Sequence, residues 1–122
     1  MTLDAGALIA FERGDAKMRQ LLREVLQAGA RVIVPAGVLA KVWRDGSRQV
    51  DLRVLLRASN VQVDALTAVL AMAVGELLAR RHATDVIDAS VVLAARRSGA
   101  TVVTDDPDDI RSLDPSLRIR AI

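Results

Sequence analysis

Three aspartates, far apart in the sequence, have the residue type and the surroundings of metal ligands. Asp4 ends a short apolar stretch at the start of the chain, and Asp106 follows the apolar run that ends at Val103. Asp88 lies among apolar residues, and Asp109 lies one helical turn beyond Asp106. Crowded carboxylates repel one another unless a cation lies between them, and an all-oxygen ligand set suits Mg²⁺ or Mn²⁺. Such an ion can activate water and stabilise charge on a phosphate, so these acids indicate phosphate chemistry if the fold brings them together.

Some of these acids also have an ordinary structural explanation. Asp4 could cap the helix that follows it, and Asp106 precedes a proline, which is typical of a helix start. Asp85 and Asp105 are explained as solvated acids or as acids favoured near a helix N-terminus. Asp88 is different, because its neighbours are apolar and no basic residue lies within four positions of it. A buried carboxylate without a partner is costly or takes up a proton, so Asp88 is the acid that most needs a cation.

Short apolar stretches alternate with amphipathic segments along the whole chain. Predicted strands cover residues 2–4, 31–34, 61–63, 101–103 and 117–119, and predicted helices cover residues 7–12, 18–27, 38–43, 50–56, 65–81, 85–97 and 106–113. The helix at 85–97 has Thr84 as its expected N-cap and Gly99 as its stop. This alternation predicts an α/β fold, a three-layer α/β/α sandwich with a central, mainly parallel sheet. In such folds the functional groups lie at the carboxyl ends of strands.

The composition narrows the class of protein. A chain of 122 residues with 52% hydrophobic residues is one folded domain rather than a disordered chain. Aromatic residues make up only 2%, which argues against binding nucleic acid by stacked bases. The absence of cysteine excludes disulfides and thiolate metal sites. The start of the chain lacks signal-peptide features, and the longest uncharged run, residues 65–75, is too short to span a membrane, so we expect a cytoplasmic protein.

Four segments, in order, carry a resemblance to a known family. Residues 3–10, 34–40, 85–92 and 102–109 are similar to segments of PIN-domain ribonucleases, specifically the VapC toxins of bacterial toxin–antitoxin pairs. The resemblance covers essentially residues 1–122 and implies a single PIN-like domain. It implies hydrolysis of RNA phosphodiester bonds with Mg²⁺ or Mn²⁺, a homodimer and a cognate antitoxin protein. The family's first, third and fourth acids fall on Asp4, Asp88 and Asp106, with Asp109 as a possible further ligand and Thr104 as the family's hydroxyl residue.

The chain departs from the family pattern at one position. The second acid, usually a glutamate, falls on Lys41. Three hypotheses follow: Lys41 points away and leaves a weaker three-aspartate metal site, its ammonium takes the metal's place between Asp4 and Asp88, or Glu76 supplies the missing carboxylate. The ordinary explanation of Glu76 is a surface ion pair with Arg80, four residues on.

Three functions are therefore compared. The first is an RNA-cutting toxin-like enzyme, attenuated by Lys41, and the second is a catalytically inactive PIN-like domain that binds RNA or an antitoxin without cleavage. The third is a phospho-accepting receiver domain with Asp64 as the acceptor, although the start of the chain lacks the acidic pair that such a domain needs. A separate set of cations is a candidate RNA-facing surface: Arg44, Arg48, Arg53 and Arg57.

Overall fold

The computed structural model describes all 122 residues as one sheet of five strands with seven helices. The strands are β1 (Thr2–Leu3), β2 (Val32–Pro35), β3 (Val61–Asp64), β4 (Val102–Thr104) and β5 (Ile119–Ala121). The helices are α1 (Ala5–Glu12), α2 (Ala16–Gln27), α3 (Ala36–Val42), α4 (Val50–Arg57), α5 (Ala68–Arg81), α6 (Val86–Ser98) and α7 (Pro107–Leu113). None of these helices is both long enough and apolar enough to cross a lipid bilayer.

The sheet is parallel throughout, with the strand order β3-β2-β1-β4-β5. This confirms the predicted α/β fold. The chain winds outward from β1 through β2 and β3, and then returns to the other side of β1 to form β4 and β5. The direction of winding therefore reverses between β1 and β4. In open parallel sheets, ligands bind at the carboxyl ends of the two strands that flank such a reversal.

The core is built almost entirely from aliphatic side chains. Every residue of β2 and β4 is buried, and α6 buries five residues that pack against the sheet and α5. Strands that are covered on both faces can be apolar at every position, which explains why their sequences do not alternate between apolar and polar residues. The rigid strands β1 and β4 lie side by side, with Leu3 opposite Val103. The residues that follow these two strands are thereby held close together.

Two helix starts differ from the prediction in a way that matters for the acids. The N-cap of α6 is Asp85 rather than Thr84, because the Asp85 carboxylate accepts the backbone N–H of Asp88 at 2.9 Å. The short carboxylate of aspartate is a better N-cap than the branched threonine. Helix α1 begins directly after Asp4 rather than at residue 7, since the Asp4 carboxylate caps it.

Other boundaries differ from the prediction by one to three residues, and three of them have a clear cause. Strand β4 runs one residue further, to Thr104, and β5 is shifted to 119–121 because a turn around Asp114 occupies the preceding residues. Helix α5 begins at Ala68 rather than at 65, since Thr67 caps it with its hydroxyl. Local periodicity does not reveal such caps and turns, which explains offsets of this size.

Candidate active site

Asp4 lies at the carboxyl end of β1, next to the end of β4. Its backbone N–H donates to the carbonyl of Val103 at 3.1 Å, which extends the β1–β4 pairing by one residue. Its Oδ1 accepts the N–H of Ala7 at 2.8 Å, and the residue is only 4% exposed. Asp4 is therefore a helix cap as well as a candidate ligand. One carboxylate oxygen is used by the cap, and the other has no backbone partner.

Thr104 connects the first acid to the last ones. Its side chain is fully buried at the end of β4, and its Oγ1 accepts the N–H of Asp106 at 2.9 Å. The same hydroxyl lies close enough to the carboxylate of Asp4 to lower its pKa. Asp106 in turn caps α7 by accepting the N–H of Asp109 at 3.4 Å. Thr104 therefore lies between the acid that ends β1 and the acids that follow β4.

Asp88 reaches the same region from the first turn of α6. Its apolar neighbours in the sequence suggested a buried side chain, but Asp88 is half-buried. Burial, followed by the negative charges of Asp85, Asp109 and Asp4, raises the pKa of Asp88 to about 6, while the charge of Lys41 opposes this rise. Charges shift a pKa this way only at short range. The fold therefore brings Asp88 within electrostatic reach of Asp4 and Asp109.

The other acids of this region repel one another in the same way. Burial raises the pKa of Asp4, hydrogen bonds from Thr104 and the Ala7 N–H lower it, and the charges of Asp105 and Asp106 raise it again. The neighbouring charge of Asp106 raises the pKa of Asp109. We call this region the acidic edge, and it consists of Asp4, Asp85, Asp88, Asp105, Asp106 and Asp109.

No member of the acidic edge has a cationic partner. The five ion pairs within 4.0 Å involve other aspartates, namely Asp45, Asp51, Asp64, Asp108 and Asp114. Five of the six aspartates outside the acidic edge are thus paired, Asp15 being the exception, whereas none of the clustered ones is. This distribution is the reverse of what stability alone favours, because like charges in one place cost free energy.

The acidic edge suits a divalent cation in chemistry but is not a preformed chelate. No group of three or more His, Cys, Asp or Glu side chains is arranged closely enough to hold a metal ion. Asp4 and Asp106 each use one carboxylate oxygen to cap a helix by accepting a backbone N–H. The donor set is nevertheless all oxygen and unpaired, which is what Mg²⁺ and Mn²⁺ prefer. The predicted ligands Asp4, Asp88 and Asp106 are thus adjacent, and their coordination of a metal stays a prediction.

Lys41 is exposed on α3 and makes no ion pair within 4.0 Å. Its charge still acts on Asp88, so it lies beside the acidic edge without entering it. This position is the one that the first of the three hypotheses requires of Lys41, and the weaker three-aspartate metal site of that hypothesis stays a prediction. The ammonium does not bridge Asp4 and Asp88.

Glu76 does not supply the missing acid. It is exposed on α5, whose neighbouring residues Val74 and Leu77 turn into the core, so its side chain faces away from them. It is not among the charges that shift the pKa of Asp88. The expected ion pair between Glu76 and Arg80 is also wrong, since none of the five ion pairs contains either residue.

The receiver-domain alternative does not fit this geometry. Asp64, its proposed acceptor, ends the edge strand β3, two strands away from β1. Its carboxylate pairs with Arg97 at 3.0 Å. Receiver domains also have a different strand order, in which β1 lies between β2 and β3.

Asp85 lies at a helix N-terminus, one of the two positions expected for it, and caps α6. The place of Asp105 was not foreseen, because its carboxylate lies so close to Gly6 that a side chain at residue 6 would collide with it. Gly6, in the first turn of α1, is therefore required for Asp105 to approach the start of that helix. A glycine in the first turn of a helix was the available sequence signal.

The chain belongs to the PIN domain family, whose model matches residues 1–114. No curated protein matches the chain. Among solved structures, VapBC2 from Rickettsia felis, bound to a DNA fragment from their promoter, has a TM-score of 0.73 and 18% sequence identity, covering 99% of this chain and 97% of that chain. FitAcB from Neisseria gonorrhoeae has a TM-score of 0.60 and 15% identity, covering 97% and 94%. At these identities the likeness shows a shared fold.

Proposed function

We propose that this chain is a VapC-like toxin ribonuclease that hydrolyses RNA phosphodiester bonds with Mg²⁺ or Mn²⁺. The metal would be held by Asp4, Asp88 and Asp106, with Asp109 as a further ligand, and its affinity would be reduced by Lys41. The observation that carries the proposal is the acidic edge: six carboxylates without a cationic partner, at the strand reversal of a PIN fold. Family membership and the similarity to VapBC2 and FitAcB support it.

The chain's own residues would prepare the site for the ion and the substrate. The hydroxyl of Thr104 fixes the backbone of Asp106 by accepting its N–H, and α1 fixes the Asp4 carboxylate, which caps the helix. Asp88 accepts no hydrogen bond and is half-exposed, so its oxygens are free to bind a ligand. A bound divalent ion would supply an activated water and stabilise negative charge on the phosphate.

Lys41 should reduce the metal affinity of this site. Exchanging Lys41 for glutamate changes the charge beside a divalent ion by two units, which is expected to tighten binding by roughly tenfold or more even in a water-like dielectric. Calorimetric titration of Mn²⁺ into wild type and Lys41→Glu measures the difference. Equal affinities would show that Lys41 is too distant to matter.

An RNA cleavage assay with Mn²⁺ tests the function directly. Wild type should cleave, and Asp88→Asn should lower the rate by more than about 100-fold, because losing a ligand costs more than the roughly 10–100-fold typical of outer-shell changes. Glu24→Gln, an exposed change on α2, is the matched control and should cleave as wild type does. Unchanged cleavage by Asp88→Asn would contradict the proposed site.

The second candidate is a catalytically inactive PIN-like domain that binds RNA or an antitoxin. The cation at residue 41 favours it, since Lys41 weakens the charge that attracts a metal. In the same assay, cleavage by Lys41→Glu but not by wild type would establish this alternative.

We further propose a homodimer, a cognate antitoxin and a cytoplasmic location, where RNA substrate is present. Two separate apolar surfaces are available for protein partners. One is the exposed face of α5 and the segment before it, with Leu66, Val69 and Met72. The other is a groove of about 290 Å³ between α2 and α4, beside the exposed Val54. Light scattering on the purified chain should give twice its 13.1 kDa mass, and a mass of one chain would contradict the dimer.

A further inference from the structure

We propose that a cleft between the end of α1 and the loop after α3 binds the phosphate backbone of single-stranded RNA beside the acidic edge. The inference deepens the proposed function and rests on it for the identity of the polyanion. The cleft has a volume of about 420 Å³. We call it the cationic cleft, and four cations line it: Arg13, Lys41, Arg44 and Arg48.

The charges of the cationic cleft are not cancelled by partners. Arg13 and Lys41 take part in none of the ion pairs within 4.0 Å. Arg48 lies 3.7 Å from Asp45, but its side chain is 88% exposed, and an ion pair in such a position is screened by water. These cations are therefore available to an anionic ligand.

Arg44 is oriented without being neutralised. Its guanidinium donates to the carbonyls of Ala40 at 3.0 Å and Trp43 at 2.7 Å. Carbonyl oxygens fix the direction of the guanidinium but carry no full charge, so Arg44 keeps its positive charge. A planar guanidinium held in this way is suited to phosphate oxygens.

A buried side chain organises the loop that presents Arg44 and Arg48. Gln49 is only 8% exposed, its Oε1 accepts the N–H of Arg44 at 2.8 Å and of Asp45 at 3.1 Å, and its Nε2 donates to the carbonyl of Val42 at 3.0 Å. Asp45 closes the turn by accepting the N–H and hydroxyl of Ser47. The loop is thus ordered before any ligand arrives, which lowers the entropy cost of binding.

The position of the cationic cleft favours RNA over an acidic peptide. Glu12 and Asp45 also line it, which leaves four positive charges against two negative ones. Lys41 lines the cleft, and its helix α3 packs against α1, which Asp4 caps, and against α6, whose first turn carries Asp88, so the cleft lies beside the acidic edge. A phosphodiester chain can lie across both, with one phosphate at the metal ligands and its neighbours on the cations. An acidic peptide has no phosphodiester bond to place at the metal ligands, so a position beside them favours RNA.

The cleft also divides the arginine set that the sequence offered as RNA-facing. Arg44 and Arg48 line the cleft, whereas Arg53 and Arg57 do not. The division follows from the fold, since the latter two lie on α4.

Binding measured without metal tests the cleft independently of catalysis. A labelled single-stranded RNA of mixed sequence and about twelve nucleotides is titrated in EDTA, and its fluorescence anisotropy is followed at several salt concentrations. The variant Arg13→Gln/Arg48→Gln should bind roughly 20-fold more weakly at about 0.1 M salt, and its log–log salt dependence should be less steep by about 1.4, because each phosphate contact contributes about 0.7. The control Arg57→Gln/Arg80→Gln removes the same charge from surfaces outside the cleft and should bind like wild type.

Three outcomes would overturn the cleft proposal. These are wild-type affinity in the cleft variant, equal weakening in the control, or displacement of the RNA by polyglutamate at the same concentration of charge. The proposed function can fail separately. Normal RNA binding in EDTA without cleavage in Mn²⁺ would contradict the proposed nuclease activity and leave the cleft proposal standing. Cleavage in Mn²⁺ that is unchanged in the cleft variant would contradict the cleft proposal and leave the nuclease activity standing.

Discussion

Asp88 has a carboxylate that destabilises the fold when it is ionised and no metal is bound. Its pKa of about 6 in the folded protein lies above the unfolded value of about 3.9. Between these two values the folded state binds more protons than the unfolded state, so the free energy of unfolding rises as the pH falls from about 7 to about 4. The neighbouring acids Asp85, Asp109 and Asp4 cause part of this effect, and Lys41 reduces it.

The variant Asp88→Asn should therefore stabilise the metal-free protein near neutral pH. We expect a gain of about 1 kcal/mol at about pH 7.5, a value reduced for solvent screening because the side chain is half-exposed. Urea unfolding in EDTA at about pH 7.5 and about pH 4 measures it, and the gain should vanish at the lower pH. Asp108→Asn is the control, because Asp108 is an exposed acid in the first turn of another helix, α7, and is paired with Arg111. A loss of stability in Asp88→Asn would mean that the carboxylate has a structural role.

At the scale of elements, the sequence predicted the strands and the acids that follow them. The apolar runs ending at Leu3 and Val103 identify parallel strands, and parallel strands place Asp4 and Asp106 at one edge of the sheet. Asp88 was found by its lack of a local partner. These inferences need only local composition and one rule about parallel sheets.

The loop of residues 43–49 shows what the sequence could not reveal. Gln49 looks like a surface residue, yet it is buried and binds three backbone groups that the chain brings to it. The effect of the Lys41 charge on Asp88 likewise acts between two helices, α3 and α6. Such interactions depend on how the elements pack, and no periodicity within either element records them.

Gln49→Leu should loosen this loop. The change leaves two N–H groups and one carbonyl without their partner in a partly buried place, and we expect a loss of about 2 kcal/mol in the free energy of unfolding. Gln20→Leu on the exposed face of α2 is the matched control and should cost little. Urea unfolding compares the two. Equal stabilities would show that water replaces Gln49 at these groups.

For the whole molecule, the net charge hides a separation of charge. The net charge of +2 does not indicate where on the molecule a charged ligand would bind. The fold places six acids on one edge and four cations in the adjoining cleft, because the strand reversal at β1 and β4 collects the acids while α1 and the loop after α3 present the cations. Negative and positive surfaces therefore lie side by side. Such a surface suits an anionic ligand that binds the acids through a metal ion and the cations directly.

Binding of Mn²⁺ should be coupled to the stability of the whole domain. A ligand that binds only the folded state adds about 2.7 kcal/mol at a concentration 100 times its Kd, which for a domain of this size raises Tm by roughly 10 °C. Differential scanning fluorimetry of wild type should show a rise that depends on Mn²⁺ concentration and is reversed by EDTA. Asp88→Asn should lose most of it.

In the same measurement, the variant Lys41→Glu tests how the charge at residue 41 affects the stability of the metal-free protein and the response to Mn²⁺. It places a further carboxylate beside the six of the acidic edge, so its metal-free Tm should lie below that of wild type because of the extra repulsion. At equal Mn²⁺ its rise should be larger, since the same charge now attracts the ion. A metal-free Tm that falls without a larger Mn²⁺ response would show that residue 41 lies outside the reach of the ion, and the family's second acid would then have no counterpart in the chemistry of this chain.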